Sequence, residues 1–168
     1  MSSWLDAAVR AMDAGETDWK ALTADASLGA LPEIFEAWIG HIDGNPNVSL
    51  DDYAKALMDA WTGPHSPTMD VSPEDWIHAF EHAGFRINGQ PADRPTEPVT
   101  LFRGGWSWDG MSWTSSRSVA EWFANENGGE VWECEVDPAL ILAVFDNVRH
   151  GEVEHVVDSG ELWEIFES

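Results

Sequence analysis

The chain is poor in positive charge. Its 168 residues include 8 lysines and arginines against 31 aspartates and glutamates, a formal net charge of −23. Too few cations are present to build a broad basic surface, which argues against direct binding to nucleic-acid phosphates. An anionic membrane surface is disfavoured for the same reason. The imbalance is not confined to a tail: residues 1–95 carry a net −11 and residues 96–168 a net −12. The long-range field therefore favours cations and basic partners. Cysteine is nearly absent. Cys134 stands alone, which excludes an internal disulfide and a Cys-rich zinc site. No apolar run approaches the length of a membrane span. The segment Met1–Asp6 shows no basic region followed by a hydrophobic run, so the expected location is a cytoplasm, of the cell itself or of a host. What is present is a globular composition, 43% hydrophobic, long enough for one compact domain with a small helical lobe.

The first half reads as helices. Ser3 caps a stripe of Trp4, Leu5, Ala8, Val9 and Met12 that stops at Gly15. Thr17 opens a short turn with Trp19 and Leu22. Pro32 stands at a first helical position before Ile34, Phe35, Trp38 and Ile42. Ser49 and Asp52 have capping-box spacing ahead of Tyr53, Leu57, Met58 and Trp61. Ser72, Pro73 and Asp75 begin a helix that ends at Gly84. Residues 88–98 hold Gly89, Pro91, Pro95 and Pro98 and read as a linker or extended connection. Beyond it the pattern turns to strands at Val99–Phe102, Met111–Thr114, Val131–Val136, Val153–Val157 and Leu162–Phe166. A helix over Val119, Ala120, Trp122 and Phe123 is capped by Ser116, and Leu140–Phe145 is ambiguous between helix and strand. The expected architecture is α+β: a helical lobe over 1–95 packed on a small β-rich core over 96–168.

His78-Ala79-Phe80-Glu81-His82 spells H-x-x-E-H, a metallopeptidase pattern. On a helical wheel Trp76, Ile77, Phe80 and Ala83 define the apolar face. His78 and His82 fall nearly opposite, toward water, and no metal is expected there. Tryptophan occurs 11 times, and at least six of these fall on helical stripes. Trp106 and Trp108 instead sit in a loop bounded by Gly104 and Gly110.

Three segments of the second half hold chemistry-bearing residues. Arg103 ends an apolar strand, is followed by Gly104 and Gly105, and is one of three basic residues after position 95. It has either a specific anion or a neighbouring carboxylate to meet. Ser112 and Thr114 alternate with Met111 and Trp113, so their hydroxyls share a strand face that runs into a helix. Glu152 and Glu154 are two apart on an expected strand. Like charges placed so are destabilising unless the edge is exposed or a cation answers them.

In this order the segments resemble the ADP-ribosyltransferase family of the Arg–Ser–Glu type: an Arg on a first strand, a Ser-x-Ser/Thr strand entering a helix, and a Glu-x-Glu strand. The resemblance runs from Val99 to Ser168. It implies a split β-sheet with NAD as substrate in the cleft, and no metal. It implies that Arg103 holds the NAD phosphate or ribose side, and that the Gly104 backbone meets the nicotinamide amide. Ser112 would bond the ribose and orient Glu154, the catalytic carboxylate, with Thr114 completing the motif. Glu152 would face the acceptor, as in arginine-directed members. Arg117 is the nearest candidate for the family's additional phosphate contact. Trp113 stands where the family has its middle Thr, and eight residues separate Arg103 from Ser112, a short spacing. Trp106, Trp108 and Trp122 are the candidates for stacking on nicotinamide. The implied activity is mono-ADP-ribosyl transfer to an acceptor, an arginine on a basic protein target.

A reading of another class comes from the charge. A small, strongly acidic protein can occupy the basic groove of a nucleic-acid-handling enzyme as a binding inhibitor without turnover. Under that reading the glutamates are interface and Arg103 is structural.

Overall fold

A computed structural model describes residues 3–146 and 152–168. The fold is mixed α+β, and the chain divides into two compact units, Met1–Ala79 and Phe80–Ser168.

The first unit is built from helices α1 (Ser3–Asp13), α2 (Trp19–Thr23), α3 (Leu31–Ile42) and α4 (Leu50–Thr62), with the first turns of α5 (Pro73–Ala83). At α3 and α4 the starting signals are the ones read from sequence, whereas Asp18 and not Thr17 caps α2 by accepting from the Ala21 amide, and Ser3 lies inside α1. Ser49 and Asp52 form a reciprocal capping box at α4, and Pro32 lies in the first turn of α3. Hydrogen bonds from Ser49 hold the Asp52 carboxyl below its usual range. The core is aromatic. Phe35 stacks on Trp76 with centroids 5.8 Å apart, and Trp61 meets Trp76 edge-on at 5.2 Å. A buried indole must satisfy its N–H. Nε1 of Trp19 donates to Asp59 Oδ2, that of Trp38 to the Thr17 carbonyl, and that of Trp76 to the Pro67 carbonyl. Burial pushes Tyr53 up to about 12. On α5 both His78 and His82 are exposed, as the wheel requires. Among the described residues no group of three or more metal-binding side chains gathers.

The second unit holds strands β1 (Arg86–Ile87), β2 (Gln90–Pro91), β3 (Val99–Gly105) and β4 (Ser112–Thr114), then helix α6 (Arg117–Asn127). Strands β5 (Glu130–Val136), β6 (Ile141–Asp146), β7 (Val153–Val157) and β8 (Phe166–Glu167) follow. They pair in the order β2-β1-β6-β7-β4-β3-β5-β8. Among the described residues only the β1–β6 pair runs parallel.

Three expectations are corrected and one open reading is resolved. The linker read over 88–98 contains a hairpin: Asn88 and Gly89 both have positive φ, 51° and 76°, and turn β1 back on β2. The β-rich unit therefore begins well before residue 96, and the compact units divide at residue 79 and not at 95. The ambiguous run 140–145 is strand β6, buried along its length from Ile141 to Phe145. The strand expected over 162–166 is confined to Phe166–Glu167, while Leu162 and Ile165 pack against the core.

The sheet has an uneven join. Strands β3 and β5 pair over seven residues, but β3 and β4 meet at a single pair, Phe102 with Thr114. The described strands thus form one continuous sheet, narrowed to a single rung between β3 and β4, and not the two separate sheets that the resemblance implies. One face packs Leu101, Trp113, Cys134, Val136, Ile141, Val144 and Val157 together. The other face is covered near β3 by α6, where Ala120 and Ala124 pack with Val131 and Phe102. A Cβ on Gly104 would strike the Ala120 carbonyl and the Ala124 amide, so only glycine lets α6 lie this close. Among the described residues no helix is long and apolar enough to cross a membrane.

Candidate functional site

Arg103 lies one residue past the single rung between β3 and β4. Beyond that rung the β3 edge is not paired to β4, and the guanidinium turns into the gap. Its Nε donates to the Ser107 carbonyl at 3.0 Å and its Nη1 to the Ser112 carbonyl at 2.7 Å. Its hydrogen bonds therefore go to neutral main chain and not to a carboxylate. Burial lowers its proton affinity, while the charges of Asp109 and Glu154 act to hold it protonated. Main-chain carbonyls take two of its five N–H donors and no carboxylate among the described residues is bonded to it, so donors remain for an anion.

The loop beneath Arg103 is fastened from several sides. Trp113 Nε1 donates to the Gly110 carbonyl at 2.9 Å, and Trp132 Nε1 donates to the Gly105 carbonyl at 3.0 Å. The Val157 amide donates to the Met111 carbonyl at 2.8 Å, and Ser159 Oγ donates to the Asp109 carbonyl at 2.5 Å. Ser107 and Asp109 close a short turn through their side chains. Sequence reading missed these clasps, because a tryptophan in a strand reads as core whether or not its N–H reaches a loop.

Glu154 sits on β7, flanked by β4 and β6, and is only 8% exposed. Glu152, 9% exposed, lies one residue ahead of that strand. The pair is therefore not relieved by an exposed edge. Carboxylates held from water this way need cations or donors to offset their desolvation. Arg103 is one such charge for Glu154.

Register decides which hydroxyl faces Glu154. Thr114 stands directly across from it, and Ser112 stands across from Val156. Ser112 is thus the diagonal neighbour on the same face, exposed, and its carbonyl rather than its hydroxyl holds Arg103. Thr114 is buried, and its Oγ1 accepts from the Ser116 amide at 3.1 Å, which fixes the turn into α6.

The remaining residues sort out clearly. Gly104 pairs with Val131 and presents its side-chain direction to α6. Arg117 is not brought to this cluster. Its Nε bonds Glu121 at 3.0 Å, its Nη1 lies 3.7 Å from Glu133 and also bonds Ser168 Oγ, and its guanidinium rests over the Phe102 ring. Trp108 packs against the core, and Trp122 meets Phe123 edge-on. Trp106 is 80% exposed, yet its Nε1 donates to the Asn127 carbonyl at 2.8 Å, so an open ring is held in place beside the loop.

His155 faces the other way from Glu154. The ring is buried, its Nδ1 has no partner at hydrogen-bonding geometry among the described residues, and burial pushes its proton affinity down. The Val153 carbonyl and the Asp146 charge oppose that shift without overcoming it.

Arg103, Thr114 and Glu154 thus gather where the two halves of the sheet meet, with Ser112 at the rim and Glu152 just ahead of β7. Such an arrangement can bind an anion at Arg103 and stabilise a cation at Glu154. No family model, curated protein or solved structure matches the chain.

Proposed function

We propose that the chain is a mono-ADP-ribosyltransferase that takes NAD as substrate and transfers ADP-ribose to an arginine on a basic protein. The observation that carries this reading is Arg103. In a chain of net −23, a cation seated on neutral carbonyls beside a buried glutamate is suited to an anionic substrate. The order Arg, Ser-x-Thr, Glu-x-Glu along the sequence adds the family resemblance.

The chemistry follows from charge. The bond between ribose C1′ and the nicotinamide nitrogen breaks, its electron pair leaves with nicotinamide, and positive charge builds on the ribose. A carboxylate fixed at Glu154 stabilises that charge most in the transition state. Thr114 and the turn it fixes hold the neighbouring strand in register. Arg103 takes the phosphate or ribose side of the substrate. The acceptor arginine nitrogen then forms the new bond to C1′, and its proton passes to Glu152 as general base. The acidity of the whole chain draws a basic target.

The same acidity favours a second reading, a non-catalytic inhibitor seated in a basic groove. The two separate on one experiment: incubation with labelled NAD and an arginine-rich acceptor, with Glu152→Gln alongside. The enzyme reading expects label on the acceptor, sharply reduced in the variant while slow release of nicotinamide continues. Neither label nor nicotinamide, together with tight binding to a basic protein, selects the inhibitor.

A further inference from the structure

We infer that Gly110 is a positioning residue: the space left by its missing side chain is the seat of the Arg103 guanidinium. A Cβ built at Gly110 would collide with Arg103 Nη2 and Cζ and come within 2.7 Å of Nη1. No other group crowds that position as closely. The backbone of Gly110 is not in the left-handed region, so an L-residue fits its conformation. What glycine supplies here is space, not backbone freedom.

The seat is rigid on its loop side. The Gly110 carbonyl is held by Trp113 Nε1, and the carbonyls on either side of it, of Asp109 and Met111, are held by Ser159 Oγ and by the Val157 amide. The guanidinium is the far end of a flexible side chain. Alanine at 110 therefore displaces Arg103 and leaves the loop in place. Displacement breaks the bonds from Nε to Ser107 and from Nη1 to Ser112, and carries the charge away from Glu154. A glycine two residues ahead of β4 thus sets where the site's cation stands.

The inference does not depend on NAD being the ligand, and its first readout is independent of ligand. In the wild type the Arg103 Nε–H, identified by its loss in Arg103→Ala, should exchange slowly with water in ¹⁵N-resolved spectra, because it is bonded to the Ser107 carbonyl. Gly110→Ala should make that proton exchange as an exposed arginine does, with the circular dichroism unchanged. The second readout is NAD binding by titration. Gly110→Ala should weaken it about tenfold or more, as Arg103→Ala does, and the double variant should lose no more than either single one. If the Arg103 Nε–H stays protected in Gly110→Ala, the inference is overturned. If wild type binds no NAD but the protection is lost in the variant, the positioning role stands and the NAD reading fails. If Gly110→Ala does not fold, the double variant decides. Folding restored by Arg103→Ala traces the clash to the guanidinium and supports the inference, whereas failure of both refutes it.

Discussion

Lowering the pH should destabilise this protein through one buried ring. His155 lies on β7 next to Glu154, inside the sheet, and its Nδ1 has no hydrogen-bond partner among the described residues. Burial disfavours the imidazolium, so the folded-state proton affinity is below the ordinary value near 6.5. The sign follows from linkage. Above pH 6.5 the ring is neutral in both states and the contribution is complete. As pH falls below 6.5 the unfolded chain takes up a proton that the folded chain refuses. Stability then declines until the lower folded value is reached, by at most about 1.4 kcal/mol for each pH unit. The 31 carboxylates complicate the raw profile, since their own protonation relieves repulsion in a chain of net −23. The effect is therefore read as a difference. Urea unfolding of wild type and His155→Leu is measured from pH 8 to pH 5. The gap between them should be flat above pH 6.5 and move in favour of the variant below it. Removal of an unsatisfied buried nitrogen should also leave the variant no weaker than wild type by more than about 1 kcal/mol at pH 8. A gap that stays constant across the range would refute the reasoning.

Other outcomes follow from single contacts. Gly104→Ala drives a methyl into the α6 backbone at Ala120 and Ala124, and should cost at least about 2 kcal/mol in denaturant unfolding. Arg117→Ala removes bonds to Glu121, Glu133 and Ser168 at a half-exposed position, so it should cost less than about 1 kcal/mol and leave NAD binding unchanged in a titration. His78→Ala with His82→Ala, or treatment with EDTA, should leave nicotinamide release at the wild-type rate, since both histidines are exposed on α5.

Much of the helical unit was legible because its signals are local. Ser49 and Asp52, Pro32, and the spacing of Trp76, Ile77 and Phe80 each act within a turn or two of the residue that carries them. The hairpin at Asn88-Gly89 carries a local signal as well, since Asn-Gly is a turn dipeptide that suits two positive φ values, yet the stretch reads as a linker. The prolines at 91, 95 and 98 masked it, although a proline is tolerated on β2 because that strand lies at the sheet edge. The order of Arg103, Ser112, Thr114 and Glu154 was visible along the chain, but their register was not. That Thr114 rather than Ser112 faces Glu154 depends on how β4 meets β7. No short-range pattern carries that information. The same holds for Arg117, whose partners Glu133 and Ser168 lie far along the sequence. The Gly110 seat was equally hidden, because a glycine in a loop reads as a turn residue until the side chain that fills its space is located.

The central claim is that Glu154 stabilises a developing cation on NAD. Its most direct measurement is the rate of nicotinamide release from NAD by wild type and by Glu154→Gln, with folding checked by circular dichroism. Glutamine keeps the size and polarity of the side chain and removes the charge. Wild type should release nicotinamide measurably, and the variant should lose this activity by a factor on the order of 10² or more. Equal release from both proteins, or none from wild type, would contradict the claim.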